Sequence, residues 1–188
     1  MIYIIGPKDK PPVGAVIINT TSRSDTWSKN LSPFYVGPCK LYGSYKSINL
    51  ENAWQFSKVY YNHVDANQNP TLDYFEWAQR GWGDIRAHRY PMGKGAVPLY
   101  SYWDGNKLGY IEARKKIYMP LYAGGVQKTY AFKQLKKMHA AGGDLYLWDF
   151  DGYDYKSLGL TFDQVINDPC RKMGHAFVIG MLLEGFIT

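Results

Sequence analysis

Hydrophobic and polar positions recur along the chain with periods that predict short helices and a few strands. The clearest helical pattern covers residues 49–61, where apolar or small side chains recur every three or four positions. Asn49 is suited to begin this helix, because its side chain can accept hydrogen bonds from the unpaired amides of a first turn. The apolar runs 2–5 and 15–18 are typical of short β-strands, and we expect them to pair with each other.

The rest of the pattern adds helices and one further strand. A proline at position 70 predicts a helix that ends at Gly81, and the capping-box pair Thr161 and Gln164 predicts another. Further helices are expected over residues 107–119, over residues 125–141 and after Asp168–Pro169, with an extended run at 145–148. These elements predict a mainly α (α+β) fold, with one compact helical domain over residues 1–188 and a small N-terminal β element.

Composition narrows the class of protein and of partner. The 188 residues include 46% hydrophobic and 20% charged side chains, which is typical of a globular domain that buries its own core. The net charge of +6 and the pI near 9.1 favour an anionic partner, such as a nucleic acid or a phosphorylated nucleotide. Aromatic residues make up 16% of the chain, which suits stacking on flat rings and equally suits core packing.

Cysteine usage argues against a disulfide-rich or cysteine-metal protein, and hydropathy argues against a membrane-spanning or secreted one. Cys39 and Cys170 lie far apart and form neither a disulfide framework nor a metal-binding spacing. No apolar run has the length of a bilayer span or of the apolar region of a signal peptide. We therefore expect a soluble, cytoplasmic protein that does not contact a membrane.

Four side chains of the predicted helix 49–61 share one face and could carry chemistry. Glu51, Trp54, Gln55 and Lys58 are spaced by three and four residues, so they line one side of a helix. A carboxylate, an indole, an amide and an amine there could act as base, stacking platform, orienting group, and cation or nucleophile. Taken alone, the pattern favours the simpler reading of an exposed Glu and Lys beside a core Trp, and the rest of the chain shifts the balance toward a site.

A cluster of carboxylates follows the strand-like run 145–148 and forms a second candidate site. Asp149, Asp151 and Asp154 could bind a divalent cation, or one of them could be held with a raised pKa for acid–base work. The spacing does not match a calcium loop, because Leu160 stands where a bidentate glutamate is needed. The histidines also lack zinc-type spacing, and we predict neither a metal nor a cofactor.

Two polar segments are candidates for phosphate binding. Residues 81–106 form a long loop rich in glycine and basic side chains, which include Arg86 and Arg89. Such a loop suits contact with a diphosphate or a DNA backbone, and a lid with solvated charges has equal weight. Arg23 lies in a second loop that is dense in hydroxyl side chains and could likewise cradle phosphate oxygens.

Several of these segments resemble one protein family. The motifs that carry the resemblance are Leu31-Ser32-Pro33-Phe34-Tyr35, then Tyr42-Gly43, then Asn49-Leu50-Glu51-Asn52-Ala53-Trp54-Gln55 with Lys58. They are similar to the opening motifs of the NADAR (YbiA-like) proteins. The similarity continues more loosely through residues 111–132, 145–154 and 173–183. The chain differs at Tyr155–Lys156, where that family usually has a Trp-Gly pair.

The resemblance implies a YbiA-like helical fold and an N-glycosidase. Enzymes of that family remove ADP-ribose from guanine, including guanine in DNA, or hydrolyse phosphoribosylated pyrimidine intermediates. Glu51 would activate the attacking group or stabilise the sugar cation, and Lys58 would be a Schiff-base nucleophile or a positioning cation. Asp149 or Asp151 would handle the ribose hydroxyls or proton transfer. The substrate-binding residues would be Trp54, Gln55, Arg23, Ser32, Phe34, Arg86, Arg89 and Asp154.

Two other readings remain open at the level of sequence. A non-catalytic module that binds ADP-ribose or nucleic acid would use the same aromatic and basic groups without needing Glu51 and Lys58 together. A structural or interaction protein would bind no small molecule. For the N-glycosidase, the expected partner is an ADP-ribosylated guanine nucleotide or DNA.

Overall fold

A computed structural model describes all residues from 1 to 188. Eight strands are present: β1 (Ile2–Ile5), β2 (Val16–Asn19), β3 (Cys39–Lys40), β4 (Lys46–Ser47), β5 (Lys58–Val59), β6 (Tyr100–Trp103), β7 (Asn106–Leu108) and β8 (Leu145–Trp148). Seven α-helices accompany them: α1 (Leu50–Gln55), α2 (Leu72–Gly83), α3 (Tyr110–Ala113), α4 (Met119–Val126), α5 (Tyr130–Ala140), α6 (Phe162–Asn167) and α7 (His175–Leu183). The α+β class is therefore confirmed. No helix is both long enough and apolar enough to cross a membrane.

The chain forms two compact units. The first comprises residues 1–36 and 122–188, and the second comprises residues 37–121. The boundary on the C-terminal side falls within α4. Each unit is described separately below.

The first unit is built on a three-stranded parallel sheet with the strand order β1-β8-β2. The strand predicted at residues 2–5 is confirmed and the one predicted at residues 15–18 lies at residues 16–19, but the prediction that they pair with each other is wrong. β8 lies between them, with Leu147 opposite Ile4 on one side and Ile18 on the other. Leu145 and Leu147 of β8 are buried, and the central position supplies both edges of its backbone with hydrogen-bond partners.

Of the two helices at the C-terminal end of the first unit, only α6 begins where its predicted cap lies. The Thr161 and Gln164 capping box of α6 is confirmed. The last helix begins at His175 rather than after Asp168–Pro169. The Asp168 side chain accepts a hydrogen bond from the amide of Cys170 at 2.8 Å, which closes a local turn instead of capping a helix. α7 is buried over nearly its whole length and packs on β1.

In the second unit the helix predicted over residues 49–61 is shorter than expected. α1 ends at Gln55, and Lys58 lies on β5, which pairs antiparallel with β6. The hydroxyl of Ser57 donates to the carbonyl of Trp54 at 2.7 Å and closes the helix end. The loop predicted at 81–106 is shorter than expected, because α2 continues to Gly83 and β6 begins at Tyr100. The loop is the segment between these two elements.

The other helix boundaries also shift for local reasons. α2 begins after Thr71, because Pro70 forms a bridge with Val64 instead of the first helical turn. Residues 106–108 form strand β7, so the helix predicted from residue 107 begins at Tyr110. The helix predicted at 125–141 begins at Tyr130, where the Thr129 side chain accepts from the amide of Phe132.

Candidate functional site

Helix α1 holds the first group of predicted site residues. Asn49 caps it as predicted, because its Oδ1 accepts from the amide of Asn52 at 2.8 Å. Leu50 and Ala53 anchor the helix in the core of the second unit. Glu51 and Gln55 lie one turn apart and are also buried, with only 8% and 9% of their surface exposed. A buried carboxylate is costly without polar partners, so its contacts define what the helix can do.

The side chains of Glu51, Gln55 and Lys58 form a continuous hydrogen-bonded chain. Gln55 Nε2 donates to Glu51 Oε1 at 2.9 Å, and Lys58 Nζ donates to Gln55 Oε1 at 2.8 Å. Gln55 therefore links an acid to an amine through one amide group. The proximity predicted from helical spacing is confirmed, although Lys58 reaches Gln55 from β5 rather than from the helix.

Trp54 forms an aromatic wall beside this chain. Lys58 Nζ lies 5.1 Å from the centre of the indole, a cation–π contact that favours the charged ammonium. The Tyr118 ring lies 5.3 Å from the same indole at an interplanar angle of 60°. Trp54 also packs against the apolar cluster of Leu108, Ala113 and Ile117, so its position is fixed.

Tyr118 belongs to a feature that the sequence analysis did not identify. Residues Arg114–Tyr118 form a π-helical segment between α3 and α4, and such segments are frequent at functional sites. Pro120, which has no backbone N–H, lies two residues after this segment and is the one signal in the sequence. Arg114 in this segment is 2% exposed, and its guanidinium lies 4.7 Å from the centre of the Tyr110 ring. A buried arginine and a tyrosine thus join the second unit's candidate residues.

Asn52 is the second feature that sequence reasoning missed, because its partners lie more than 30 residues away. Its Nδ2 donates to the carbonyls of Asp84 and Arg86, and its Oδ1 accepts from the amide of His88 at 2.8 Å. Asn52 is completely buried. The side chain next to Glu51 therefore fixes the first part of the basic loop to α1.

Inside that loop, Asp84 organises the basic side chains. Its Oδ2 lies 2.6 Å from His88 Nε2, and its Oδ1 lies 3.8 Å from Arg86 Nε. The hydrogen bond from His88, followed by that from the amide of Arg86, holds the pKa of Asp84 below its usual value. The Arg86 side chain is 82% exposed, while the Arg89 guanidinium lies 5.5 Å from the centre of the Tyr90 ring. The loop thus presents basic groups from a fixed backbone.

We predict that Asn52→Ala releases this loop. Two carbonyls and one amide would lose their buried partner, which costs about 1–3 kcal/mol in the free energy of unfolding. Limited trypsin digestion should then cleave after Arg86 and Arg89 about tenfold faster, because proteolysis follows the population of the open form. Asn62→Ala, an exposed site, is the control. Equal cleavage rates in the two variants would contradict the role assigned to Asn52.

The first unit holds the predicted carboxylate cluster. Asp149 is 3% exposed, and its Oδ2 lies 3.0 Å from His175 Nδ1 and accepts from the amide of Ala176. His175 Nε2 lies 2.8 Å from the carbonyl oxygen of Thr20. Only a ring protonated on both nitrogens can donate to both oxygens, so this geometry favours a buried imidazolium–carboxylate pair. The pair fixes the start of α7 to β8 and to the chain after β2.

The titration of Asp149 reflects these contacts. Burial raises its pKa, but the charge and hydrogen bond of His175 and the amides of Ala176 and Asp151 outweigh burial, so the pKa lies below its usual value. Gly174 is required next to it, since a Cβ there would come within 2.2 Å of Asp149 Oδ2. The assignment of Asp149 to substrate stays a prediction.

The remaining predicted residues of the first unit have local roles. Asp154 Oδ1 accepts from the amide of Ser157 at 3.1 Å, and the amide of Asp151 donates to Asp149. The exposed Arg23 lies 5.0 Å above the Phe150 ring, which brings the hydroxyl-rich loop to the acidic turn. Ser32 is buried and accepts from the amide of Phe34, which is half-buried; their assignment to substrate also stays a prediction.

Comparison with known proteins places the chain in a family. No curated protein and no solved structure matches the sequence. A family described as "Family of unknown function (DUF6939)" matches residues 8–178, which is most of the chain. The protein therefore belongs to the DUF6939 family.

Proposed function

We propose that this protein is an N-glycosidase that cleaves a ribose C1–N bond, and that its substrate is guanine in DNA or nucleotides carrying ADP-ribose. The observation that carries the proposal is the chain of hydrogen bonds from Glu51 through Gln55 to Lys58. The resemblance of these motifs to the NADAR (YbiA-like) proteins supports the choice of reaction and a YbiA-type fold. Membership of DUF6939 assigns no activity.

The reaction matches the chemistry of these groups. Breaking the C1–N bond leaves positive charge on the sugar, and a nearby carboxylate lowers the energy of that state. The base leaves with the electron pair of the C1–N bond, and the oxygen of water forms a new bond to C1. The proton that water releases passes through the carboxylate to the departing base. Glu51 is the carboxylate in this scheme, and its hydrogen bond from Gln55 fixes the direction of its oxygens.

Lys58 acts as a cation in this scheme rather than as a nucleophile. The indole of Trp54 and the side-chain Oε1 of Gln55 both stabilise the ammonium form. A Schiff base would require Lys58 to lose its proton against both contacts. A protonated Lys58 can instead donate to the departing base or hold a phosphate oxygen, so direct attack by water is the favoured route.

The charge of the chain and its fixed loop suit the proposed substrate. A net charge of +6 favours an anionic ligand, and the loop that Asn52 holds presents the exposed Arg86. Arginine binds phosphate oxygens through two parallel hydrogen bonds, so Arg86 and Arg89 are the groups we assign to the diphosphate.

Mass spectrometry tests the proposal. The purified protein is incubated separately with an ADP-ribosylated guanine oligonucleotide, with ADP-ribosylated guanosine and with phosphoribosylated pyrimidines. We expect loss of ADP-ribose from a guanine substrate, with restoration of the unmodified base. Tight binding of ADP-ribose without cleavage of any substrate would instead identify a binding module and overturn the hydrolase.

A further inference from the structure

Basic charge is concentrated on helix α5 of the first unit and on Lys128, just before the residue that caps it. The segment 122–143 contains Lys128, Lys133, Lys136 and Lys137 and no aspartate or glutamate. All four lysines are exposed, and none of them forms an ion pair. We call these four residues the α5 lysine face. Lys133, Lys136 and Lys137 are spaced by three and four residues, so they lie on one side of α5.

Helix stability does not explain this arrangement. Like charges three and four residues apart on a helix repel each other. Lys137 lies in the last turn, where the helix dipole favours a cation, but Lys128 and Lys133 lie at the N-terminal end, where it disfavours one. The first turn contains no acidic residue that would offset them. A partner that brings negative charge would relieve the repulsion along the whole face.

A cavity lies beside the C-terminal half of α5. Its volume is about 150 Å³, and its lining includes Phe132 and Ala140 of α5 and Leu182 of α7. Lys136 of the α5 lysine face and His139 also line it. His139 has a buried Nδ1 without a hydrogen-bond partner, which is uncommon in folded proteins. The cavity is therefore lined by both apolar and polar side chains, and it adjoins the α5 lysine face.

We propose that the α5 lysine face binds the phosphate backbone of single-stranded nucleic acid and that the cavity accepts one of its bases. A base must be unpaired to enter a cavity, so the ligand is single-stranded. Proteins that bind single strands combine a basic surface for the backbone with sites on which the bases stack. The proposal concerns binding alone, so it stands or falls separately from hydrolysis at Glu51.

Fluorescence anisotropy with a labelled single-stranded oligothymidylate tests the backbone contact. Its affinity for the intact protein should fall linearly on logarithmic axes as salt rises from about 50 to about 200 mM. Replacing Lys133, Lys136 and Lys137 together by alanine should reduce that slope by about 2, since each phosphate contact on a single strand contributes about 0.7.

A variant of equal charge serves as the control for this result. Lys8, Lys10 and Lys40 are exposed lysines outside the α5 lysine face, and replacing these three by alanine should leave the slope unchanged. An equal reduction of the salt slope in both triple variants would show a general charge effect and overturn the proposal. Failure of the intact protein to bind the oligothymidylate at about 50 mM salt would overturn it as well.

Filling the cavity tests the base contact without changing charge. Ala140→Phe should weaken oligothymidylate binding about tenfold with an unchanged salt slope, because base stacking on an aromatic site is lost. A strand of equal length without bases should bind the intact protein about tenfold more weakly than the oligothymidylate does. It should bind the intact protein and the Ala140→Phe variant with equal affinity. Thermal unfolding confirms that each variant is folded. Equal affinity for strands with and without bases would overturn the base site.

Discussion

Glu51→Gln should lower the rate of C1–N cleavage by about 10³-fold, the usual effect of removing one group that stabilises charge in a transition state. The substitution keeps the shape of the side chain, removes its negative charge and replaces one acceptor oxygen by an NH2 donor. Its Oε1 can still accept from Gln55 Nε2, so the chain of hydrogen bonds to Lys58 persists. The free energy of unfolding should change by less than about 1 kcal/mol. Cleavage is measured by mass spectrometry, and stability by urea denaturation.

A matched glutamate separates a catalytic effect from a general one. Glu112 is exposed, and its carboxylate lies 3.6 Å from Lys116 Nζ, a surface pair that contributes little to stability. Glu112→Gln therefore makes the same chemical change outside α1 and should leave the rate unchanged. A Glu51→Gln protein that cleaves at the normal rate would remove Glu51 from the mechanism. A variant that neither folds nor binds substrate would contradict the structural reasoning instead.

Local sequence rules predicted the parts of this site that depend on near neighbours. Asn49 caps α1 because a side-chain oxygen next to an apolar run can reach the free amides of the first turn. Glu51 and Gln55 meet because helical residues four apart face each other. The Glu51–Gln55 contact was thus accessible from spacing alone, although it stays untested as part of a catalytic group.

Features that depend on distant residues were not accessible in this way. Lys58 leaves the helix because β5 pairs with a strand that begins 42 residues later in the sequence, at Tyr100. The role of Asn52 depends on backbone groups at residues 84, 86 and 88. The order of the parallel sheet was missed for the same reason, since β8 enters between β1 and β2 from the far end of the chain. Spacing within one segment carries no information about such partners.

Asp149→Ala should destabilise the protein by about 3–5 kcal/mol, because it removes one partner of a buried ion pair. His175 would keep its position among apolar residues of α7 without the carboxylate that its Nδ1 contacts at 3.0 Å. The amide of Ala176 would also lose its acceptor at the start of the helix. Thermal or urea denaturation of the variant measures the loss. The exposed Asp163→Ala is the comparison, with an expected change within about 0.5 kcal/mol.

The same pair predicts how stability depends on pH. Because the pKa of Asp149 is lower in the folded protein than its value of 3.8 in the unfolded chain, the folded state favours the ionised carboxylate. Its contribution is therefore complete above about pH 5 and is lost as the pH falls below about 3.8 toward the folded pKa. Asp149→Asn cannot ionise, so the difference in unfolding free energy between it and the unmodified protein should shrink through that acidic range. A difference that stays constant down to about pH 2.5 would show that Asp149 does not titrate as its contacts require.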